Sequence, residues 1–367
     1  MSHAPVIIGA GPAGLFCGLA LARKGYRPLI LERGEDVDAR AARVAAFWET
    51  GKLNPSSNVQ FGEGGAGTSD GKLNTLVKDS FGRNREVLRI LVEFGADPSI
   101  LYVNKPHIGT DVLSSIVKNI RCEIERLGGE VRFLTQVTDF VLEGGRLTAV
   151  VTESGERIQT QAVVLAAGHS ARDTFEQLLE RGVPMEPKAF ALGLRVQHPQ
   201  KLINMSQYGM EECRELGPAS YKVTKQTEEG RGVYSFCMCP GGYVVNSSSE
   251  PGRLAVNGMS YHDRAGENAN SALIVTVTTG DFPETEPGRE ALAGVMFQRN
   301  LEEKAYAWEK GRFLYSSTEI LGKTASPQAL GRWRLPLKGS TLLQISGSFF
   351  LRAFPGLSWR PWGASDI

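Results

Sequence analysis

The first thirty residues carry the hydrophobic pattern of two buried strands separated by a helix. The stretch PVIIGAGPAGLFCGLALARKGYRPLILER begins with a buried apolar run, continues with apolar residues at helical spacing, and ends with a second run rich in Leu and Ile. A glycine-rich turn separates the first run from the helix. This order predicts a βαβ unit, the opening of a doubly wound α/β sheet.

Helical and strand patterns continue until the composition changes near residue 185. A helix is predicted over about 110–127, short alternating strands with Gly-Gly and Ser-Gly turns over about 130–160, and a return to the parallel sheet at AVVLAAG. From RGVPMEPKAF onward, Gly and Pro interrupt a β-rich segment. The predicted fold is an α/β Rossmann-type domain over 1–185 with an inserted β-meander, followed by a β-rich α+β domain over 186–330.

Charge and cysteine content exclude several classes of protein. The chain has 41 Lys and Arg against 40 Asp and Glu, a net charge of +1, so no basic field attracts nucleic acid or an anionic membrane. No apolar run is long enough to span a membrane, and the N-terminal residues lack the basic region of a signal peptide. Five cysteines indicate reduced thiols, so a cytoplasmic location is expected.

The turn between the first strand and the helix has the spacing G-x-G-x-x-G. Gly9 permits the sharp turn, Gly11 lets the backbone approach a pyrophosphate, and Gly14 lets the helix pack on the strand. Glu32 ends the second strand, where a carboxylate can accept hydrogen bonds from both hydroxyls of an adenosine ribose. Because strand, helix and acidic residue are in register, a turn that binds nothing is disfavoured. The predicted dinucleotide-binding residues of this unit are Gly9, Gly11, Pro12, Ala13, Gly14, Glu32 and Arg33.

Gly18 and Gly25 extend the glycine pattern along the helix. The extended pattern resembles that of flavoproteins that bind FAD through an N-terminal Rossmann unit. NAD presents the same ADP half to such a site, so the resemblance is what favours FAD.

A second G-x-G-x-x-G occurs at Gly62, Gly64 and Gly67, but it lacks the context of a Rossmann turn. Its flanks, LNPSSNVQ and TSDGKLN, are polar and turn-forming, and neither a buried strand nor a helix adjoins it. Small residues suit a backbone lying flat against a flavin ring, with a flexible surface loop as the alternative. The candidates for contact with the cofactor in this loop are Gly64, Gly65, Ala66, Gly67 and Thr68.

Four segments carry a more specific resemblance: VQFGEGGAGTSDGKLNT, KPHIGTDVL, VVLAAGHSARDTFE and FCMCPGGYVVNSSSEPG. In this order they resemble the uncharacterised FAD-dependent dehydrogenases related to the two-dinucleotide-binding-domain flavoproteins. One departure is that the family has a further aromatic residue after Gly67. The resemblance implies an FAD-dependent oxidoreductase that passes a hydride through a non-covalently bound flavin to or from a small molecule. By position it also implies that Val137 reads the adenine and that Ala167 and Gly168 pass close to the cofactor.

Several residues with reactive side chains are more simply structural. His169 lies beside a predicted S-x-x-D helix start formed by Ser170 and Asp173, and Thr110 is a candidate N-cap after His107. Cys237 and Cys239, on one side of a strand, make a poor zinc site; buried small side chains are favoured over a redox pair. We therefore predict no metal site and assign no catalytic residue.

Two functions stay open at this point. An oxidoreductase would need NAD(P)H or a redox protein as electron donor, because no second Rossmann unit is evident. The alternative is a non-catalytic remnant of such an enzyme. The composition of residues 331–367 indicates a defective C-terminus. This segment has one acidic residue and three of the chain's five Trp, and it shows neither helical nor strand periodicity. A frameshift near Gly331 is the hypothesis, and an aberrant tail with weak binding of the flavin half is the expectation.

Overall fold

The structure is a computed structural model that describes residues 4–64, 72–73, 79–227, 230–308, 332–334 and 342–344. Its α-helices are α1 (Pro12–Arg23), α2 (Val37–Thr50), α3 (Arg83–Glu93), α4 (Thr110–Arg126), α5 (Arg172–Glu180), α6 (Gln200–Tyr208) and α7 (Ala293–Trp308). Its strands are β1 (Val6–Ile8), β2 (Leu29–Leu31), β3 (Glu130–Arg132), β4 (Val137–Glu143), β5 (Arg146–Thr152), β6 (Arg157–Gln159), β7 (Val163–Leu165), β8 (Phe190–Pro199), β9 (Thr224–Gln226), β10 (Gly232–Cys239), β11 (Tyr243–Asn246), β12 (Val256–Met259), β13 (Asn268–Val277), β14 (Arg332–Arg334) and β15 (Leu342–Gln344).

The predicted βαβ opening is confirmed as part of a four-stranded parallel sheet. Its strand order is β3-β2-β1-β7, with Val6 opposite Leu29 on one side and Val163 on the other. The first strand is therefore central, with its crossover helix α1 leading to the adjacent β2. The strand order reverses at β1, and open α/β sheets bind their ligands at the carboxyl ends of the strands beside such a reversal.

Both faces of this sheet are buried, which explains why its strands are continuous apolar runs rather than alternating ones. Ile7 and Ile30 pack with α1 and α4 on one face. On the other face, Leu31 packs with Phe140 and Val150 of the antiparallel strands β4 and β5. The sheet thus lies between a helical layer and a β-layer.

The inserted β-meander is confirmed, but its predicted start at about residue 130 is wrong. Glu130–Arg132 pairs in parallel with β2, so that segment extends the Rossmann sheet. The meander consists of β4, β5 and β6 and begins at Val137. The sequence alone does not separate the two because both segments are short and Leu134, between them, carries no strong turn signal.

The chain divides into two compact units, of which the first contains more than its N-terminal part. This unit takes in Met1–Met185, Val245–Val256 and Arg299–Arg312. The buried Arg172 explains the grouping, since its guanidinium pairs with Glu250 at 2.6 Å and with Glu302 at 2.7 Å. Two segments that follow the predicted boundary at residue 185 therefore belong with the Rossmann fold.

The second unit contains the predicted β-rich segment, and an antiparallel sheet is its main element. The strand order is β8-β13-β10-β9, and β8 pairs with β13 over ten residues, from Phe190 opposite Val277 to Pro199 opposite Asn268. Along β13 buried and half-buried residues alternate, as expected for a sheet that is covered more fully on one face.

The predicted aberrant tail, residues 331–367, lies outside the described residues apart from β14 and β15, which pair with each other antiparallel. Within the described part of the chain, no helix is both long enough and apolar enough to cross a membrane.

His198 and Tyr221 form a buried polar pair in the second unit. Nε2 of His198 lies 3.0 Å from the Tyr221 hydroxyl. Burial lowers the pKa of His198 to about 4 and raises the pKa of Tyr221 to about 12, because in each case the charged form would lose its hydration. Both side chains are therefore neutral at pH 7.

The lowered pKa of His198 predicts acid sensitivity of the second unit. As the pH falls below 6.5, the ordinary pKa of histidine, His198 takes up a proton in the unfolded chain. In the folded chain His198 stays unprotonated until about pH 4. The free energy of unfolding should fall across this interval by roughly 3 kcal/mol at most. Thermal midpoints from pH 7 to pH 4 measure the effect, and His198→Gln should flatten the profile. An equally steep profile in the variant would assign the sensitivity to other groups.

Candidate cofactor site

The glycine turn after β1 is shaped by two close backbone approaches. Gly9 has φ +102°, and a Cβ there would lie 2.5 Å from the carbonyl oxygen of Ala166. A Cβ on Gly14 would lie 1.9 Å from the carbonyl oxygen of Gly9. Gly9 thus lets β7 approach the turn, and Gly14 lets α1 pack on it. A Cβ on Gly11, in contrast, would meet nothing within 4 Å.

A cavity of about 550 Å³ lies where β1, β2 and β7 end. This is the edge at which open α/β sheets bind their ligands. The lining residues are Ile8, Gly9, Gly11, Pro12, Ala13, Leu31, Glu32, Arg33, Gln60, Phe61, Gly62, Thr135, Gln136, Val137, Leu165, Ala166, Ala167, Gly168, His169 and Thr174.

The N-terminus of α1, at one end of this cavity, has the features of an anion-binding helix end. Gly11 is the N-cap and Pro12 the first helical residue; no side chain caps the helix and its first turn has no acidic residue. The first N–H groups of a helix have no partner within it, and the helix dipole is positive there. A cofactor pyrophosphate is the group that this helix end suits.

Glu32 is buried, and its carboxylate binds the protein's own backbone. Oε2 accepts from the N–H of Ala10 at 2.7 Å, while Oε1 accepts from Gly34 at 2.8 Å and Gly62 at 3.0 Å. A carboxylate has about four acceptor positions. About one therefore remains for a ribose hydroxyl, rather than the two predicted, because three backbone donors occupy the others.

The loop that carries the second glycine pattern folds back onto the first glycine turn. The N–H of Gly64 donates to the carbonyl of Ala10 at 2.9 Å, next to the bond from Gly62 to Glu32. Up to Gly64 this segment is therefore a packed part of the site, not a free surface loop. Gly64 does not line the cavity, and the predicted contacts Gly65, Ala66, Gly67 and Thr68 lie outside the described residues.

Arg40 binds this loop through its backbone carbonyls. Its guanidinium is buried and donates to the carbonyls of Asn58, Val59 and Glu63 at 2.8, 2.6 and 2.7 Å. Burial lowers the pKa of Arg40 to about 10, so the side chain is still charged at neutral pH. Sequence reasoning missed this residue because a single Arg in a helix is usually a solvated surface residue.

Arg33 is held at the cavity wall on two sides. Its guanidinium lies 4.4 Å from the centroid of the Phe61 ring and donates to Asp173 at 3.0 Å. Asp173 also accepts from the side chain of Gln136 at 2.8 Å. The predicted helix cap at Ser170 and Asp173 is wrong, because Ala171 is the N-cap of α5 and its side chain makes no capping bond.

The remaining predicted residues of the described chain also line the cavity. Val137, Ala167 and Gly168 line it, as does His169, whose pKa is lowered by burial and by the neighbouring Arg172. The predictions missed Thr135 and Gln136, although both immediately precede the predicted Val137. They also missed Gln60 and Phe61, because only the loop's return to Glu32 brings these side chains to the cavity.

Three other sequence interpretations change in detail. Gly109, not Thr110, is the N-cap of α4, and it makes no side-chain capping bond. His107 forms an isolated β-bridge with Lys72. Cys237 and Cys239 form no disulfide with a described cysteine. They do not lie on a regular strand, as their spacing predicts, since the register shifts between Phe236 and Cys239 and Cys237 has φ +48°.

Comparison with known proteins finds a family model that matches each of two parts of the chain. Residues 3–184 match the model of the pyridine nucleotide-disulphide oxidoreductases, and residues 189–322 match the C-terminal domain-like model of FAD-dependent proteins. An uncharacterised protein from Clostridium beijerinckii (strain ATCC 51743 / NCIMB 8052) is 52% identical over 312 residues. The alignment covers 84% of this chain and 57% of that protein, so the chain spans little more than half the length of this relative.

Similar solved structures include the flavin-dependent brominase Bmp2, with 15% identity and a TM-score of 0.36 over 84% of this chain and 64% of the other. The halogenase PltM has 12% identity and a TM-score of 0.37 over 86% and 58%. Thermovibrio ammonificans THI4 has 22% identity and a TM-score of 0.34 over 51% and 66%. At these scores the likenesses indicate nothing about the chemistry of this chain.

Substitutions at Gly11 and Gly14 should separate ligand binding from folding. Gly11→Val places a side chain in open space, so the thermal midpoint of the apoprotein should stay close to the wild-type value. Loss of charge-assisted bonds to a pyrophosphate should weaken FAD binding roughly 10- to 100-fold. Gly14→Val drives a side chain into the carbonyl of Gly9 and should cost roughly 1–3 kcal/mol of stability. Equal FAD affinity in wild type and Gly11→Val would show that the cofactor binds elsewhere.

Replacing Glu32 should affect the free protein as well as the complex. Glu32→Ala leaves the N–H groups of Ala10, Gly34 and Gly62 without their acceptor, at a cost of roughly 1–3 kcal/mol for each group that stays buried and unpaired. The apoprotein's thermal midpoint and its FAD affinity should fall together, whereas Gly11→Val lowers the affinity alone. A Glu32→Ala apoprotein as stable as the wild type would contradict the structural role of this carboxylate.

Proposed function

We propose that this chain, which belongs to the FAD-dependent flavoproteins related to the pyridine nucleotide-disulphide oxidoreductases, is an oxidoreductase that transfers a hydride through non-covalently bound FAD. The observation that carries this proposal is the opening at Gly11. An uncapped helix N-terminus lies at the edge of the cavity where the parallel strands end, and a Cβ on its Gly11 would meet nothing within 4 Å.

The residues at this edge fit the ADP half of FAD in both size and chemistry. The cavity of about 550 Å³ falls in the range of small-molecule and cofactor sites. The N-terminus of α1 would bind the pyrophosphate, the remaining acceptor position of Glu32 a ribose hydroxyl, and the segment 135–137 the adenine edge. Arg33, already stacked on Phe61, would close the ribose side of the site.

FAD supplies the capacity to take up and release a hydride; the protein supplies binding, orientation and exclusion of water. In this chain the orienting elements are rigid. Arg40 fixes the loop 58–64, Glu32 ties that loop to the glycine turn, and the turn is packed against β7 through Gly9 and Ala166. Such a frame would hold the cofactor with little loss of conformational freedom on binding.

The electron donor is proposed to be NAD(P)H or a redox protein, and the substrate a small molecule. The parallel sheet described above is a single Rossmann unit, and its cavity is assigned to FAD. A nicotinamide cofactor would therefore bind transiently at another surface, or a protein partner would deliver the electrons.

Reconstitution and anaerobic reduction test the proposal. The full chain should bind FAD, the flavin released on denaturation should be unmodified, and NADH, NADPH or a chemical donor should bleach the visible absorbance of the complex. Cys237→Ser/Cys239→Ser should retain this reduction if the thiols are structural. A chain that binds FAD but cannot be reduced and reoxidised by any donor and acceptor pair would favour the non-catalytic alternative.

A further inference from the structure

Arg195 on β8 is a half-buried arginine that makes no ion pair with any described residue. Its Nε donates to the Oδ1 of Asn270 at 2.7 Å, and its Nη2 donates to the carbonyl of Cys237 at 2.7 Å and lies 3.4 Å from the Sγ of Cys239. None of these partners is a carboxylate. By contrast, Arg231 in the same unit donates to both carboxylate oxygens of Asp281, at 2.6 and 2.7 Å.

The orientation of Arg195 is fixed at a cost in stability. Asn270 is fully buried, and while its Oδ1 holds Arg195, its Nδ2 has no hydrogen-bond partner in the described part of the chain. A buried, unpaired amide group is unfavourable and calls for an explanation. Gly258 lies over the same guanidinium, where a Cβ would come within 2.1 Å of Nη2. The fold therefore aligns the guanidinium without neutralising it.

The remaining guanidinium nitrogen, Nη1, donates to no described residue. An arginine presents planar N–H groups that match a carboxylate. The hydrogen bonds of Nε and Nη2 fix the plane of the guanidinium. An anion bound at Nη1 would therefore meet a preorganised donor.

A half-exposed surface of the sheet extends from Arg195 across the neighbouring strands. Arg195 pairs with Ala272 on β13, and Ala272 pairs with Phe236 on β10, so the three side chains share one face in a single row. Ile274 follows on the same face, two residues along β13. Phe236 is 58% exposed, and the small Ala272 lies between it and the cation. Two strand spacings separate the ends of the row, about 10 Å.

We infer that Arg195, Ala272 and Phe236 form a binding site for a small carboxylic acid with an apolar body. The carboxylate pairs with Nη1 of Arg195, and the apolar body lies over Ala272 toward Phe236. That such an acid is the substrate of the oxidoreductase rests on the proposed function. Asn270 acts as a positioning residue, since it reaches the ligand only through the guanidinium.

The probe for this site is 3-phenylpropionate, which combines a carboxylate with an apolar group of the required length. Titration calorimetry with the full chain should show saturable binding of the acid. The neutral analogue, 3-phenylpropionamide, should bind roughly 10-fold more weakly, or more weakly still. Flavin content is recorded separately for every sample. Acid binding without flavin would retain the site and count against the proposed function, whereas flavin binding without acid binding would overturn the site alone.

Five variants assign the binding to individual residues. Arg195→Met should weaken acid binding roughly 10-fold or more, and Arg195→Lys less, since the charge is kept. Asn270→Asp keeps an acceptor for Nε but neutralises the cation, so it should weaken acid binding roughly 10-fold while the amide's affinity stays unchanged. Phe236→Ala should weaken both ligands roughly 3- to 10-fold. The exposed Arg214→Gln is the charge control and should have no effect.

A structural role for Asn270 alone would lower the thermal midpoint of Asn270→Asp without changing the preference for acid over amide. Unchanged acid affinity in a folded Arg195→Met, or no binding of the acid to the wild type, would overturn the inference. An equal loss of acid affinity in Arg214→Gln would also overturn it, because the effect would then come from the overall charge of the protein.

Discussion

One buried carboxylate joins the parts of the cofactor site that are distant in sequence. Glu32 accepts hydrogen bonds from Ala10 in the glycine turn, Gly34 after β2 and Gly62 in the long loop. Each of these N–H groups would be costly to bury without an acceptor. The carboxylate is therefore a structural centre of the proposed site, and the shape of the cavity depends on it.

A second buried charge, the guanidinium of Arg40, binds the same loop as Glu32. Arg40 binds three carbonyls of the segment whose N–H groups face Glu32 and the glycine turn. The loop is thus held by its acceptors at Arg40 and by its donors at Glu32 and Ala10. Charge-assisted bonds of this kind are stronger than neutral ones, so the loop has little freedom although it lacks regular secondary structure. This rigidity is what a cofactor site needs on a segment outside the helices and strands.

The parts of the fold that local rules determine could be predicted from the sequence. Gly9 and Gly14 make the close approaches that their spacing predicts, because a tight turn between strand and helix leaves no room for a side chain at either position. The parallel sheet followed from runs such as VII and LIL, which suit only a strand buried on both faces.

Features that depend on distant contacts could not be predicted. Thr110 and Ser170 have the composition of helix caps, yet Gly109 and Ala171 are the N-caps. Asp173 binds Arg33 and Gln136 instead of taking part in a cap. Glu130–Arg132 resembles the strands of the meander and is assigned to the parallel sheet only by its pairing with β2. Phe61 and Arg195 carry no local sequence signal. The place of Phe61 at the cavity and the lack of a described ion pair at Arg195 both follow from contacts between residues distant in sequence.

Hydrogen exchange of the apoprotein with and without ADP tests the central claim most directly. If Glu32 joins the three segments into one site for the ADP half, ADP should slow exchange together in residues 9–14, 32–34 and 58–64, and leave the sheet of the second unit unchanged. Protection confined to one of these segments, or absent from the glycine turn, would contradict the account.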